Sequence, residues 1–166
     1  EFLFHEFSQQ VSKEHLFHGY RLLACDGSVL TTVPNPQDDA AYIQCGPDSK
    51  GYNQLHLSVL YDLQTRSYVD AVIHPIRHAN ENKDMCDMVD RYRGFHKTIF
   101  IADRGYESYN TLAHVQEKGM YFLIRVKDIT SKGGMVLSML NNLPEHSDSF
   151  DKSLTITLTR KQTKEV

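Results

Sequence analysis

Two short apolar runs, each ending on an aspartate, constrain this chain most. Leu22-Leu23-Ala24-Cys25 leads into Asp26-Gly27, and Ile99-Phe100-Ile101-Ala102 leads into Asp103-Arg104-Gly105. Runs this short and apolar, bounded by turn residues, read as buried strands. If the two strands lie side by side and parallel, both carboxylates emerge at one sheet edge. Ligand sites in open α/β sheets lie beyond the carboxyl ends of such strands, where the topology switches direction.

The surrounding pattern supplies the rest of the sheet. Leu55, Leu57, Val59 and Tyr61 alternate with His56, Ser58, Leu60 and Asp62, which is strand period. Tyr68 to His74 is a further β-rich run, and the polar stretch from Asp62 to Ser67 joins the two as an antiparallel hairpin. Asn80 is placed to cap a helix. Met85, Met88, Val89 and Tyr92 follow at i, i+3, i+4 and i+7, an amphipathic stripe that ends near Gly94. After the strand from Thr98 to Ala102, a helix runs to about Lys118, with Gly119 at a good C-cap position. Met120 to Val126 is a fifth strand. The stretch from Thr31 to Gly51 holds Pro34, Pro36 and Pro47 and reads as a long loop.

The order is β, β, β, α, β, α, β. Strands joined by short connections are antiparallel, and strands that follow a helix are parallel to a neighbour through right-handed crossovers. The expected fold class is α/β: a ribonuclease H-like fold, with a mixed sheet whose first three strands are antiparallel and whose later strands are parallel, flanked by helices. Residues 1–20 read as a lead-in segment, residues 21–130 as the ribonuclease H-like core, and residues 131–166 as a further segment of β-rich pattern. Within that last part, Gly133-Gly134 and Pro144 bracket a short helix, and Ser153 to Thr159 alternates as a strand.

Composition narrows the function classes. The 166 residues carry a formal net charge of −3, whereas a module built mainly to grip nucleic acid is usually basic, with a pI above about 9. DNA affinity must then come from local patches. The sequence contains no apolar run near the ~20 residues needed to span a bilayer. Cys25, Cys45 and Cys86 form no CxxC pair and read as reduced thiols of an intracellular protein. Nine histidines raise the question of zinc. Pro75 disfavours the helix that would align His74 with His78, and no set of four convergent ligands is visible. The chain starts at Glu1 and ends at Val166 without start or stop signals, so it reads as a piece of a longer protein.

Carboxylates at Asp26 and Asp103 suit phosphodiester chemistry. Two divalent ions about 3.5–4 Å apart activate the attacking oxygen and stabilise the leaving one. Mg²⁺ prefers hard oxygen ligands and keeps several waters, so two or three carboxylates suffice. The plain alternative is that an Asp before Gly merely forms a turn.

The segment Leu22-Leu23-Ala24-Cys25-Asp26-Gly27-Ser28 resembles the first-aspartate motif of DDE transposases of insertion sequence family four. The segment Ile99-Phe100-Ile101-Ala102-Asp103-Arg104-Gly105-Tyr106 resembles their second motif. Phe122-Leu123-Ile124-Arg125-Val126-Lys127 is also similar to that family, and the resemblance covers roughly residues 20 to 130. It implies a cut-and-paste transposase of a bacterial mobile element, which nicks element ends through metal-activated water and joins the 3′ hydroxyl to target DNA. It implies Asp26 and Asp103 as catalytic metal ligands for Mg²⁺ or Mn²⁺, two ions in the complete site, with Asp26 bridging both. The implied partner is double-stranded DNA, both element ends and target. Self-association in the full-length protein, a cytoplasmic, nucleoid-associated place in a bacterium and no membrane contact follow.

The family's third acid is a Glu in a Tyr-x2-Arg-x3-Glu-x6-Lys pattern, which is absent here; after Tyr109 only Tyr121 remains, and no Arg stands three residues beyond it. The expectation is a chain that binds Mg²⁺ or Mn²⁺ weakly and does not cleave DNA. Glu81 and Glu107 are explained by first helical turns, where acids suit the helix dipole. Arg104 is a candidate phosphate contact or an ordinary surface charge. Tyr106 either stacks on a base or packs against the sheet edge. Arg125 and Lys127 are candidate DNA contacts near the strand ends, against the default of solvated charge. Two rivals stay open: another ribonuclease H-like nuclease or resolvase, and a decayed transposase core that only binds DNA.

Overall fold

The computed structural model describes residues 16–126 and residue 153. The lead-in up to residue 15, Lys127, the short helix expected before Pro144 and the strand expected from Ser153 to Thr159 lie outside the described residues, apart from Ser153 itself. The strands are β1 (Arg21–Thr32), β2 (Tyr42–Ile43), β3 (Tyr52–Asp62), β4 (Ser67–Pro75), β5 (Thr98–Ala102) and β6 (Tyr121–Ile124). Two α-helices, α1 (Glu81–Arg91) and α2 (Tyr109–Glu117), precede β5 and β6 respectively.

The strands form one six-stranded sheet in the order β2-β3-β1-β5-β6, with β4 also pairing β3. β1 is antiparallel to β3, and β3 to β4. β5 is parallel to β1, and β6 to β5. The sheet is therefore mixed in the way the element order predicts, with the ribonuclease H-like arrangement of an antiparallel hairpin on one side of β1 and βα units on the other. β1 occupies the middle.

Both helices cover one face. Asn80 caps α1 by accepting a hydrogen bond from the Lys83 N–H, which satisfies an otherwise orphaned amide. The α1 stripe Met85, Met88 and Val89 is fully buried, together with Val115 of α2, against Leu23, Leu60 and Phe100 of the sheet. Each such side chain contributes about 1.5–3 kcal/mol when taken out of water. The opposite face carries Leu22, Ala24, Val59, Ile99 and Ile101, all half-buried.

Two details depart from the sequence reading, and a third goes beyond it. β1 does not stop at Asp26 but continues to Thr32, with Gly27 opposite Ser58. The long loop contains β2, whose two residues pair with Tyr52 and Asn53. The helix-facing side of β3 is its polar one: His56, Ser58, Leu60 and Asp62 are buried, whereas Val59 and Tyr61 are only half-buried. That inversion is possible because each polar group has a partner. Asp62 accepts Arg21 Nε at 2.6 Å and the N–H groups of Gln64 and Thr65, which also shapes the β3–β4 turn.

Candidate active site at the sheet edge

The register of the parallel strands places the two aspartates. Leu23 lies opposite Phe100 and Ala24 opposite Ile101. Extended two residues past its last pair, this register would set Asp26 level with Asp103, one residue beyond the end of β5. Side chains alternate across a strand, and Leu23, Cys25, Phe100 and Ala102 all face the helices. Asp26, inside β1, thus faces away from the helices, and Asp103 follows β5 as the cap of the next turn. β6 extends the row: Ala102 is opposite Ile124, so the next position is Arg125, whose N–H donates to Ala102 O.

Local chemistry ends β5 at this point. Asp103 is the N-cap of a short 3-10 turn, Arg104–Tyr106, and accepts a hydrogen bond from the Gly105 N–H at 2.7 Å. Asp26 accepts one from the Gly27 N–H at 2.9 Å. Both aspartates are exposed, and each carboxylate has lone pairs beyond these single bonds. Hard, exposed carboxylate oxygens are the donor type that Mg²⁺ or Mn²⁺ prefers.

The other sequence candidates fall in different places. Arg104 and Arg125 are exposed. Tyr106 is 1% exposed and belongs to the core, so its ring presents no face to a base. It lies beside the Cys25 thiol. Burial, with Cys25 and the Glu81 carboxylate nearby, holds the Tyr106 hydroxyl well above its usual range. Burial pushes the Cys25 thiol up to about 12, so it stays protonated and is no nucleophile. Among the described residues no group of three or more His, Cys, Asp or Glu stands close enough to hold a metal ion.

Glu81 is the residue whose place here the sequence did not reveal. It lies in the first turn of α1, as a helix-dipole acid should, but its carboxylate leans over the sheet edge. A Cβ added at Gly27 would lie 2.5 Å from Glu81 Oε1 and 2.9 Å from His56 Cε1. A Cβ at Gly105 would lie 3.0 Å from Asp103 Oδ1 and 3.8 Å from Glu81 Oε2. Gly27 is thus a glycine because of what stands over it rather than because the chain turns. Behind Glu81 runs a buried polar chain. His56 Nε2 is 3.6 Å from Glu81 Oε1 and 3.2 Å from Ser58 Oγ. Ser58 donates to Asp84 Oδ2 at 2.8 Å, and Asp84 Oδ1 is 2.9 Å from His74 Nε2. Asn82 Nδ2 donates to Gly105 O, tying the same helical turn to the loop after Asp103.

A family profile described as "Transposase DDE domain" matches residues 17–165. The chain belongs to the transposase DDE-domain family. Solved structures similar to it include a piggyBac transposase synaptic complex with hairpin DNA, at 12% identity and a TM-score of 0.49, covering 76% of this chain and 26% of that one. Another is a Mos1 transposase paired-end complex with the left transposon end, at 14% identity and a TM-score of 0.37, covering 74% and 38%. A Mos1 mariner paired-end complex with Mn is similar at 13% identity and a TM-score of 0.37, covering 74% and 39%. This DDE-domain chain spans well under half of each. No curated protein matches it.

Proposed function

We propose that this DDE domain is the catalytic core of a cut-and-paste transposase of a bacterial insertion sequence, of the family-four type, acting on double-stranded DNA at element ends and target. What supports the reading is the parallel pairing of β1 with β5, each running into an aspartate (Asp26, Asp103), at the point where β1 keeps its antiparallel partner and loses its parallel one. Residues 21–130 form the core in this reading, and residues 131–166 belong to a β-rich insertion. The protein acts in the bacterial cytoplasm at the nucleoid and self-associates when complete.

Asp26 and Asp103 would hold the divalent ions, Asp26 from the central strand and Asp103 from its neighbour. The ions supply charge neutralisation and activation of a water or 3′ hydroxyl for in-line attack on phosphorus. The carboxylates themselves orient the site, since each is fixed by a backbone N–H within its own loop or strand. Arg125, next in the row, would bind a phosphate oxygen beside Asp103, where a guanidinium fits bidentately. Arg104, exposed at the start of the 3-10 turn, is a second candidate for phosphate contact, and Lys127 continues the basic run beyond β6. The chain by itself lacks the Tyr-Arg-Glu-Lys pattern and is expected not to cleave.

The test is nicking of element-end DNA by the complete transposase in Mg²⁺. Asp26→Asn and Asp103→Asn should each abolish nicking while leaving DNA binding intact. Nicking by either variant at the parent rate would overturn the reading.

A further inference from the structure

We propose that residues 1–15 dock on the sheet face that α1 and α2 leave open, covering an apolar patch that runs across β1, β5 and β6. The patch follows from register. Leu22 and Ala24 of β1 lie opposite Ile99 and Ile101 of β5, and these lie opposite Tyr121 and Leu123 of β6. Residues paired across neighbouring strands point to one face, and the intervening Leu23 and Phe100 face the helices. All six patch positions are apolar or aromatic. Tyr121 and Leu123 are 47% and 63% exposed. Contiguous exposed apolar surface of this kind marks an interaction site.

The occupant follows from how the chain enters the sheet. Phe17 and Tyr20 exchange backbone hydrogen bonds at 2.8 and 2.9 Å across His18-Gly19. Both turn residues have positive φ, the geometry of a two-residue hairpin turn. The chain at Leu16 is therefore directed back along β1. It finds no place within the sheet. On one side the Arg21 N–H donates to Lys97 O, and on the other Leu22 O accepts from the Leu63 N–H. It finds none under the helices, where the Arg21 guanidinium is buried against Asp62 and Tyr92. The remaining direction is over the open face. Tyr20 already lies on that side, its ring edge-on to Tyr121 at 5.4 Å. Residues 1–15 carry the side chains such a face asks for: Phe2, Leu3, Phe4, Phe7 and Val11, with polar residues between. The last three recur at i, i+3 and i+7, the spacing of a single helical face. The chain after β6 is directed elsewhere, because the Arg125 N–H continues the pairing with Ala102 past the patch.

The experiment is photo-crosslinking in the full-length protein with p-benzoylphenylalanine in place of Phe7, mapped by peptide mass spectrometry. The expected products join position 7 to β1, β5 or β6 within one molecule. Products on any other element, a product of twice the mass that marks a second copy, or no product would overturn the proposal. Thiol labelling gives an independent reading. Ile99→Cys is placed in a Cys45→Ser background, since Cys45 is exposed whereas Cys25 and Cys86 are buried. Its alkylation should be slow in the full-length protein. Replacing Phe4 and Phe7 together by Ser should speed it about tenfold, the ratio that about 1.4 kcal/mol of segment closure gives. Val33→Cys, at a site 84% exposed, should label fast and equally with or without that replacement. If Ile99→Cys labels as fast as Val33→Cys before the replacement, the face is open. If its slow labelling survives the replacement, something else covers the face. Either result overturns the proposal. Labelling of Cys25 or Cys86 reports unfolding of a variant, and the crosslink map then decides alone.

Discussion

Arg21 donates from Nε to the Asp62 carboxylate at 2.6 Å, with side-chain exposures of 2% and 0%. The same guanidinium donates to the Tyr92 hydroxyl at 3.2 Å. This pair joins the first residue of β1 to the last of β3 under the helices. Removing one partner of a buried pair leaves an uncompensated charge, at a cost of about 3–5 kcal/mol. Arg21→Ala should lower unfolding stability by that amount in a denaturant titration. Asp62→Ala should cost at least as much, because it also frees the Gln64 and Thr65 amides. A loss below about 1 kcal/mol, the range of a surface pair, would contradict the burial.

Gly27 has no room for a side chain, since an added Cβ meets Glu81 and His56. Forcing extra atoms into a packed site costs about 1–3 kcal/mol. Gly27→Ala should destabilise the protein within that range. Gly46, where an added Cβ meets nothing, should tolerate the same change with little effect. Equal effects at the two positions would show that Gly27 is only a permissive turn residue.

Cys25 links stability to alkaline pH. Its thiol is raised by burial from an ordinary 9.0 to about 12 in the folded state. A raised pKa means that folding favours the protonated form. That stabilisation is complete below pH 9 and is lost as pH rises through 12. Cys25→Ser keeps a small side chain but does not ionise there, so it should flatten the fall in melting temperature between those limits. At pH 8 the folded protein should react with a thiol reagent at the exposed Cys45 and not at buried Cys25 or Cys86. Alkylation of Cys25 at the rate of Cys45 would contradict this.

Arg125 follows β6 in the row that contains Asp103. If it binds a phosphate, Arg125→Ala should weaken binding to element-end DNA. The salt slope of log K should also fall by about 1. An unchanged slope would make Arg125 an ordinary surface charge.

The sequence carried the parts of this fold that depend on local pattern. β5 was legible to the residue, because five apolar or β-branched residues end on an aspartate that caps a turn. α1 was legible from Asn80 and the Met85, Met88, Val89 stripe. Local pattern misled where tertiary contact overrides it. Gly27-Ser28 looks like a turn, yet β1 passes straight through, and the glycine answers to Glu81 and His56 from distant parts of the chain. Alternation in β3 gave the period but not the buried side, because His56, Ser58 and Asp62 go inside only with partners on β1 and α1. β2 is two residues long and has no pattern to read. Of the two readings of Tyr106, packing and base stacking, its burial in the core fits packing. Glu81 carries no signal beyond its place in a first helical turn; its reach over the sheet edge is visible only in three dimensions.

The measurement that tests the central claim most directly is a crystal structure of the protein soaked in Mn²⁺. Divalent-ion density should lie between Asp26 and Asp103, with carboxylate oxygens at about 2.0–2.3 Å, near the distances that Mg²⁺ requires. Carboxylates pointing away from each other, or Mn²⁺ bound at other residues with none between these two, would contradict it.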